Sequence, residues 1–287
     1  MFIYIVLILQ QVLAASTHVV GKSLTGLIDP TLSLLLRAAI ASAVFGGWII
    51  YKRKSLPKLN KKDTWLFLLL GFLCVPMNQL LFFVSVKYTT APNVALAYSL
   101  VPTFVFLLEI FHLKMKISKL KLTGIVLAFL GTLFIFMEKG IDLQSDYFYG
   151  NVIALLASFA WAVYTVIGKN IIPRYGAIYS TALAMIFGFI LYIPIFLLFG
   201  DASTFQLMEL DSWAKVAYLG VMNSVVGYAL WYWMLKRMEA SKLSVFNNLQ
   251  PVITAVLSAV LLSFAFTPIF IIGAATVIAG VYLTQRG

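Results

Sequence analysis

Charged residues, cysteine and histidine are all scarce in this chain. Only 11% of its 287 residues are charged, one is cysteine and two are histidine. The single cysteine, Cys74, excludes a disulfide framework within the chain. The phosphate-binding pattern GxxxxGK[ST] and the metal-hydrolase pattern HExxH are both absent, which argues against ATP-driven transport by this chain alone and against metal-dependent hydrolysis. We therefore expect no cofactor and no metal.

Apolar residues, in contrast, make up 62% of the chain. A soluble protein of this length could not bury so much apolar surface, so the sequence indicates that lipid is the solvent. Ten apolar runs have about the length of a membrane-spanning helix. The fold class predicted is an all-α integral membrane protein with ten transmembrane helices. The runs cover residues 2–20, 31–51, 65–86, 91–111, 119–137, 148–169, 177–199, 213–235, 242–264 and 267–284.

The net charge of +11 is concentrated in particular joints between these runs. Lysines and arginines cluster in residues 52–62, 114–121 and 236–242 and at Arg286, which lie on one side if the chain crosses the membrane regularly. This positive-inside bias predicts that both termini are cytoplasmic. The basic charge is thereby explained by topology, and we expect no nucleic-acid partner.

Two stretches of the chain resemble one another, TTAPNVALAYSLVP ending at Pro102 and ASKLSVFNNLQP ending at Pro251. The same offset of 149 positions also relates Gly71 to Gly220, Gly124 to Gly273 and Gly131 to Gly280. We interpret residues 1–140 and 141–287 as two copies of a five-helix unit. Five is odd, so the second copy is expected to be inverted in the membrane, with a binding site near the midplane. The alternative is a duplication that reflects ancestry without transport.

Polar and aromatic residues inside the apolar runs are candidates for lining that site. Amides in lipid must face protein or a wet cavity, although hydrogen bonding between helices would explain them equally. Trp213 and Trp231 to Trp233 fit an interfacial belt as well as a site. The candidates are Thr17, His18, Asn78, Gln79, Tyr98, Ser99, Trp161, Tyr164, Tyr228, Asn247, Asn248 and Gln250.

Two charged residues, Arg37 and Glu109, fall within apolar runs. The helical rise places them near opposite membrane faces, so we do not expect them to pair. Arg37 could bind substrate, or it could snorkel or bond helix-end carbonyls. Glu109 is expected to be structural, offsetting His112 and Lys114. The prolines Pro102 and Pro251 free backbone carbonyls and are candidate hinges, with a purely structural kink as the alternative.

Trp161 lies eight residues before Lys169, a basic residue that closes the first helix of the second half. Together with the prolines of the fourth helices and the glycines of the fifth, this spacing resembles the EamA family of the drug/metabolite transporter superfamily, over essentially the whole chain. The chain departs from the family pattern at Ala14, where the first half would carry the tryptophan. It also departs at Met115 and Phe264, where an acidic residue is common. The resemblance implies export of amino acids or related metabolites across a bacterial plasma membrane.

We therefore predict a secondary transporter or facilitator that alternates access around a cavity lined by helices 1, 3, 4, 6, 8 and 9. Few cations are available besides Arg37, Lys22 and Lys169, which favours a small neutral or zwitterionic solute. His18 could relay protons or serve as a polar contact. An integral-membrane enzyme and a channel remain the alternative classes, and a monomer is the expected state.

Overall fold

The structure is a computed structural model that describes residues 2–113, 118–136 and 145–286. Met115, Lys114 and the boundary proposed between residues 140 and 141 lie outside the described residues, and so does the side chain of His112. Within the described ranges all regular structure is helical. The predicted all-α class is confirmed.

Each of the ten apolar runs coincides with a helix of the described chain. Four of these helices are made of consecutive segments, and a short 3₁₀ turn, Ser203–Leu207, precedes the eighth. The helices are α1 (Phe2–Thr25), α2 (Pro30–Lys52), α3 (Lys61–Phe72, Leu73–Leu80 and Leu81–Tyr88), α4 (Ala91–Ser99 and Val101–Leu113), α5 (Lys119–Phe136), α6 (Asp146–Tyr175), α7 (Ala177–Phe199), α8 (Leu210–Tyr218, Leu219–Gly227 and Tyr228–Leu235), α9 (Ala240–Ser244, Val245–Asn248 and Leu249–Leu261) and α10 (Pro268–Arg286).

Seven helices of the described chain are long and apolar enough to cross a membrane by length and composition, namely α1, α2, α3, α4, α6, α7 and α9. A membrane crossing by each of the ten helices stays a prediction. The surface is consistent with lipid, because large apolar side chains such as Leu197, Leu198 and Phe199 are 75–79% exposed in a continuous run. Soluble proteins rarely expose large contiguous apolar surfaces to water.

Short polar side chains explain where several helices begin. The Asp29 carboxylate accepts a hydrogen bond from the Thr31 backbone N–H, and Pro30 follows as the first residue of α2. Thr90 caps α4 and Ser145 caps α6 in the same manner. Each cap satisfies a backbone donor that the first turn of a helix leaves unpaired.

The third helix of each half contains a π-helical stretch, Leu73–Leu80 in α3 and Leu219–Gly227 in α8. With the offset of 149 positions, the two stretches overlap. Pro76 lies within the first stretch, whereas the second contains no proline, so a missing backbone donor is not what both have in common. π-helical stretches are rare in proteins overall, and those that occur are often at functional sites.

The fourth helix of each half is also interrupted, just before Pro102 in α4 and just before Pro251 in α9. The break is at Leu100 in α4 and at the 3₁₀ turn Val245–Asn248 in α9. Both prolines are buried and lie in the first turn of the segment that follows, where a helix needs no N–H donor. Their place is therefore compatible with a hinge as well as with a fixed kink.

The two halves are interleaved. Helix α1 packs against α9, and its counterpart α6 packs against α4; likewise α3 packs on α7, and α8 packs on α2. Exchanging residues 1–140 with residues 141–287 exchanges these pairs, which is the packing pattern that two repeats would have; the duplication itself stays a prediction.

Helices α5 and α10 form a tight pair through their glycines. A Cβ atom on Gly131 would lie 2.8 Å from the backbone nitrogen of Val277, and one on Gly280 would overlap the backbone of Ala128. Small residues permit this approach of two backbones, which gives helices in lipid their packing contacts. A similar contact joins α3 to α7, where a Cβ on Gly71 would lie 2.6 Å from the Gly188 nitrogen.

Candidate functional site

A cavity lies between the two halves at the level of the helix interruptions. Its volume is about 60 Å³, while about 10–15 Å³ on the same measure suffices for one water molecule. The cavity therefore has room for several water molecules. Its walls come from α1, α2, α3, α4, α6, α8 and α9, and the lining residues are Gln10, Ala14, Thr17, His18, Arg37, Asn78, Gln79, Phe82, Tyr98, Trp161, Asn223, Gly227, Tyr228, Asn247 and Gln250.

Most of the sequence-derived candidates meet at this cavity. Thr17, His18, Asn78, Gln79, Tyr98, Trp161, Tyr228, Asn247 and Gln250 all belong to its wall. Three candidates do not. Ser99 donates to the Leu96 carbonyl at 2.7 Å, Tyr164 lies behind Trp161, and Asn248 is half-buried beside the site.

A chain of amide hydrogen bonds connects α1 to α9. Gln11 Nε2 donates to Gln10 Oε1 at 2.7 Å, and Gln250 Nε2 donates to Gln11 Oε1 at 2.9 Å and to Asn247 Oδ1 at 3.1 Å. Gln250 Oε1 then accepts from His18 Nε2 at 3.1 Å. This orientation makes Nε2 the protonated ring nitrogen, so His18 Nδ1 carries a lone pair and is an acceptor.

His18 is enclosed by aromatic rings. It is 3% exposed and meets Phe82 and Tyr98 edge to face, each at 5.4 Å between ring centroids. Its Nδ1 atom has no hydrogen-bond partner within the described chain. An unpaired buried acceptor costs free energy, about 1–3 kcal/mol, that a ligand donor could recover.

Asn78 fixes the tyrosines of the opposite wall. Its Nδ2 atom donates to Tyr98 Oη at 2.7 Å and to the Ala157 carbonyl at 2.9 Å, and its Oδ1 atom accepts from Tyr228 Oη at 3.0 Å. Both amide hydrogens and the amide oxygen of Asn78 are hydrogen-bonded. Asn78, on α3, thereby connects α3 to α4, α6 and α8 around the cavity.

Aromatic side chains form the α6 and α8 wall. Trp161 meets Tyr164 nearly parallel at 5.4 Å and Tyr228 edge to face at 5.0 Å. Tyr164 in turn stacks on Tyr232 at 5.0 Å. Trp231 and Tyr232 are fully buried, so the expectation that they could belong to an interfacial belt is wrong for these two residues.

Arg37 belongs to the cavity wall and is 2% exposed. Its Nε atom donates to Ser224 Oγ at 2.7 Å, its Nη2 atom donates to Asn223 Oδ1, and its guanidinium lies 5.6 Å from the centroid of the Phe83 ring. It neither snorkels nor bonds helix-end carbonyls. Glu109 is half-buried and outside the cavity, and no ion pair joins it to Arg37 among the described residues.

The helix-end lysines are held by backbone carbonyls. Lys22 Nζ donates to the carbonyls of Lys87 and Thr89, at 3.1 and 2.7 Å, and Lys169 Nζ donates to those of Leu235 and Met238. These carbonyls end α3 and α8, where a cation also complements the helix dipole. Both lysines therefore secure a neighbouring helix end outside the cavity wall.

Five lining residues were not among the predicted candidates: Gln10, Ala14, Phe82, Asn223 and Gly227. Helical spacing could have found the first, because Gln10, Ala14, Thr17 and His18 share one face of α1. Asn223 and Gly227 are brought to the cavity by the π-helical stretch of α8, which the sequence did not predict.

The comparisons with known proteins agree with this architecture. A sequence model of the EamA-like transporter family matches residues 1–137 and 148–286. Among similar proteins are two uncharacterized transporters of Bacillus subtilis (strain 168). YetK is 29% identical over 98% of this chain and 86% of its own length, and YyaM is 30% identical over 99% and 93%.

An uncharacterized transporter of Archaeoglobus fulgidus is 30% identical over 90% of this chain and 88% of its own length. One solved crystal structure has a TM-score of 0.71 and 19% identity over 98% of both chains, which shows the fold alone. These relatives are named as transporters, which indicates a transporter in place of an enzyme. The chain is a multi-pass membrane protein and belongs to the EamA-like transporter family.

Proposed function

We propose that the protein is a secondary transporter or facilitator for small neutral or zwitterionic metabolites, with amino acids as the substrate class. The observation that carries the proposal is the chemistry of the cavity between the halves. Its wall combines one cation, unpaired hydrogen-bond donors, unpaired acceptors and aromatic rings. An amino acid offers a carboxylate, an ammonium and an apolar side chain, and so complements each of these.

The unpaired donors and acceptors support this substrate class. Among the described residues, Asn247 Nδ2 is buried without a hydrogen-bond partner. No hydrogen bond joins Gln10 Nε2, Trp161 Nε1 or Asn223 Nδ2 to another described group, and all three residues belong to the wall. The unpaired acceptors are His18 Nδ1 and Gln79 Oε1. A solute that carries both an anionic and a cationic group satisfies both kinds of atom.

Alternating access accounts for the small volume of the cavity. A site that closes around its solute must open to each side in turn, and the interrupted helices α4 and α9 are candidate hinges for this motion. We propose export across the plasma membrane by a monomer with both termini in the cytoplasm. The first and second halves, residues 1–140 and 141–287, would rock against each other around the cavity.

Counterflow in proteoliposomes tests the proposal. Vesicles preloaded with a mixture of neutral amino acids are challenged with one labelled member at a time, L-leucine and L-phenylalanine first. We expect transient accumulation of at least one label above that in protein-free vesicles, because counterflow detects both coupled carriers and facilitators. Lack of exchange by protein that is folded, as judged by a cooperative melting transition, would contradict an amino-acid substrate.

A further inference from the structure

Arg37 is a buried cation without a counter-charge in the described chain. It is 2% exposed, and none of the described aspartates and glutamates forms an ion pair with it. Arginine stays protonated in proteins, so the charge cannot be removed by loss of a proton. A buried charge that is not paired is costly, and the cost is relieved by an anion.

Neutral side chains hold the guanidinium in a fixed orientation. Ser224 Oγ accepts from Nε and Asn223 Oδ1 accepts from Nη2, and both acceptors lie on the π-helical stretch of α8. The Phe83 ring lies against the guanidinium. These contacts leave Nη1 without a hydrogen bond to any described residue. The arrangement orients a planar donor group and does not neutralise it.

The donor next to Arg37 is also unpaired. Because Asn223 directs its Oδ1 atom toward Arg37, its Nδ2 atom is free to donate elsewhere. Arg37 and Asn223 both line the cavity. Arg37 Nη1 and Asn223 Nδ2 can therefore each donate to one oxygen of a carboxylate, and the bond from the charged guanidinium is stronger than one between neutral groups.

The acceptors belong to other parts of the wall. His18 Nδ1 is unpaired because Nε2 donates to Gln250, and Gln79 Oε1 is unpaired because its amide nitrogen faces the sulfur atoms of Cys74 and Met185 at 3.5 and 3.6 Å. Tyr98 and Phe82 surround His18, and a cation is attracted to such rings.

We propose that the solute's carboxylate supplies the counter-charge of Arg37, with Arg37 and Asn223 as the carboxylate site and with His18 and Gln79 as acceptors for its ammonium. This inference rests on the proposed function and makes it more specific, because it requires a free carboxylate and a free amino group on the same solute. An inorganic anion such as chloride offers Arg37 the same charge, so the experiment must distinguish the two sources.

The test compares matched solutes on the wild-type protein. The better exchanged of L-leucine and L-phenylalanine is measured against its carboxamide and its N-acetyl derivative, in counterflow and in thermal shift of the purified protein. Sodium chloride and sodium gluconate are compared in the same thermal shift. We expect the amino acid to raise the melting temperature and both derivatives to bind at least about tenfold more weakly, since each loses a charge-assisted hydrogen bond.

Substitutions of Arg37 test the same carboxylate site. Arg37→Lys keeps the charge but removes the planar guanidinium that Ser224 and Asn223 orient, and we expect it to raise the KM of the amino acid about tenfold while leaving that of its carboxamide unaffected. Arg37→Gln should weaken the amino acid further. Arg53→Gln removes an exposed arginine at the end of α2 and serves as the control, with an unchanged KM.

The outcomes separate this inference from the proposed function. Wild-type exchange of the amino acid and its carboxamide with equal KM would overturn the carboxylate site and leave amino-acid transport standing. An Arg37-dependent shift caused by chloride, with none caused by the amino acid, would assign the counter-charge to an inorganic anion and would also overturn it. A shift caused by the amino acid without any exchange would support the site and contradict transport.

Discussion

The first helices of the two halves, α1 and α6, differ in chemistry while sharing a backbone pattern. Gly21 and Lys22 near the end of α1 correspond to Gly168 and Lys169 in α6, and each lysine bonds the carbonyls that end the third helix of its own half. An offset of 147 positions that aligns these pairs also aligns Ala14 with Trp161. The duplicated features are those that fix how helices meet.

Two of the differences between α1 and α6 lie at the cavity or just behind its wall. Ala14 leaves space where α6 supplies the Trp161 ring, and both residues line the cavity. His18 corresponds to Thr165, which accepts a hydrogen bond from Trp231 at 3.1 Å and does not line the cavity. At these positions α1 and α6 share the residues that fasten helix ends and differ in the residues at the cavity, so the cavity wall is asymmetric.

The largest effect is expected from making the α1 wall resemble the α6 wall. Ala14→Trp would place an indole in a cavity of about 60 Å³, and we expect counterflow to fall to the level of protein-free vesicles because no space for solute remains. Leu9→Trp, on the lipid-exposed face of α1, is the control and should keep exchange. Normal exchange by Ala14→Trp would show that the solute passes elsewhere.

The reverse change is expected to have a smaller effect. Trp161→Ala should raise the KM for an aromatic amino acid by up to about tenfold, because an aromatic contact contributes about 0.5–1.5 kcal/mol beyond its area. Concentration dependence of counterflow measures this. An unaltered KM would show that Trp161 serves only in packing with Tyr164 and Tyr228.

The paired glycines should differ in their tolerance of a methyl group. A Cβ on Gly168 would overlap the hydroxyl of Tyr232, which is fully buried, whereas a Cβ on Gly21 would lie 3.0 Å from the edge of the Phe82 ring. We expect Gly168→Ala to cost about 1–3 kcal/mol and Gly21→Ala to cost less. Melting temperatures of the two purified variants provide the comparison, and equal values would contradict it.

The two lysines are expected to matter to a similar extent. Lys22→Met and Lys169→Met each leave carbonyls at a helix end without their cation, at a cost of about 0.3–2 kcal/mol. Both should lower the melting temperature by a few degrees relative to Lys62→Met, which removes an exposed lysine. A variant that loses exchange without losing stability would instead place its lysine in the transport pathway.

The smallest effect is expected at His18. His18→Gln retains an acceptor oxygen, so the KM should rise only a few-fold, and the response of transport to an imposed pH gradient should equal that of the wild type. Uptake is measured with and without a pH step across the vesicle membrane. Loss of a wild-type pH response in this variant alone would establish His18 as a proton relay.

Much of the fold followed from short-range patterns. Apolar runs located the ten helices, and the position of Pro102 relative to Pro251 predicted a duplication. Amides in apolar runs identified Asn78, Asn247 and Gln250 as wall residues, because a membrane leaves such groups few other places. Tyr164 and Ser99 were misplaced, since residues on one helix can face the cavity or pack just behind its wall.

The sequence by itself determined that this chain is an all-helical membrane protein, and it predicted two related halves with polar residues gathered between them. These properties depend on composition and on local order along the chain. Only the tertiary structure decided that Arg37 meets Asn223 and Ser224 at the cavity, and that Lys22 and Lys169 are engaged at helix ends. Those contacts join residues far apart in sequence, and the π-helical turn and the interleaved packing of the halves bring them together.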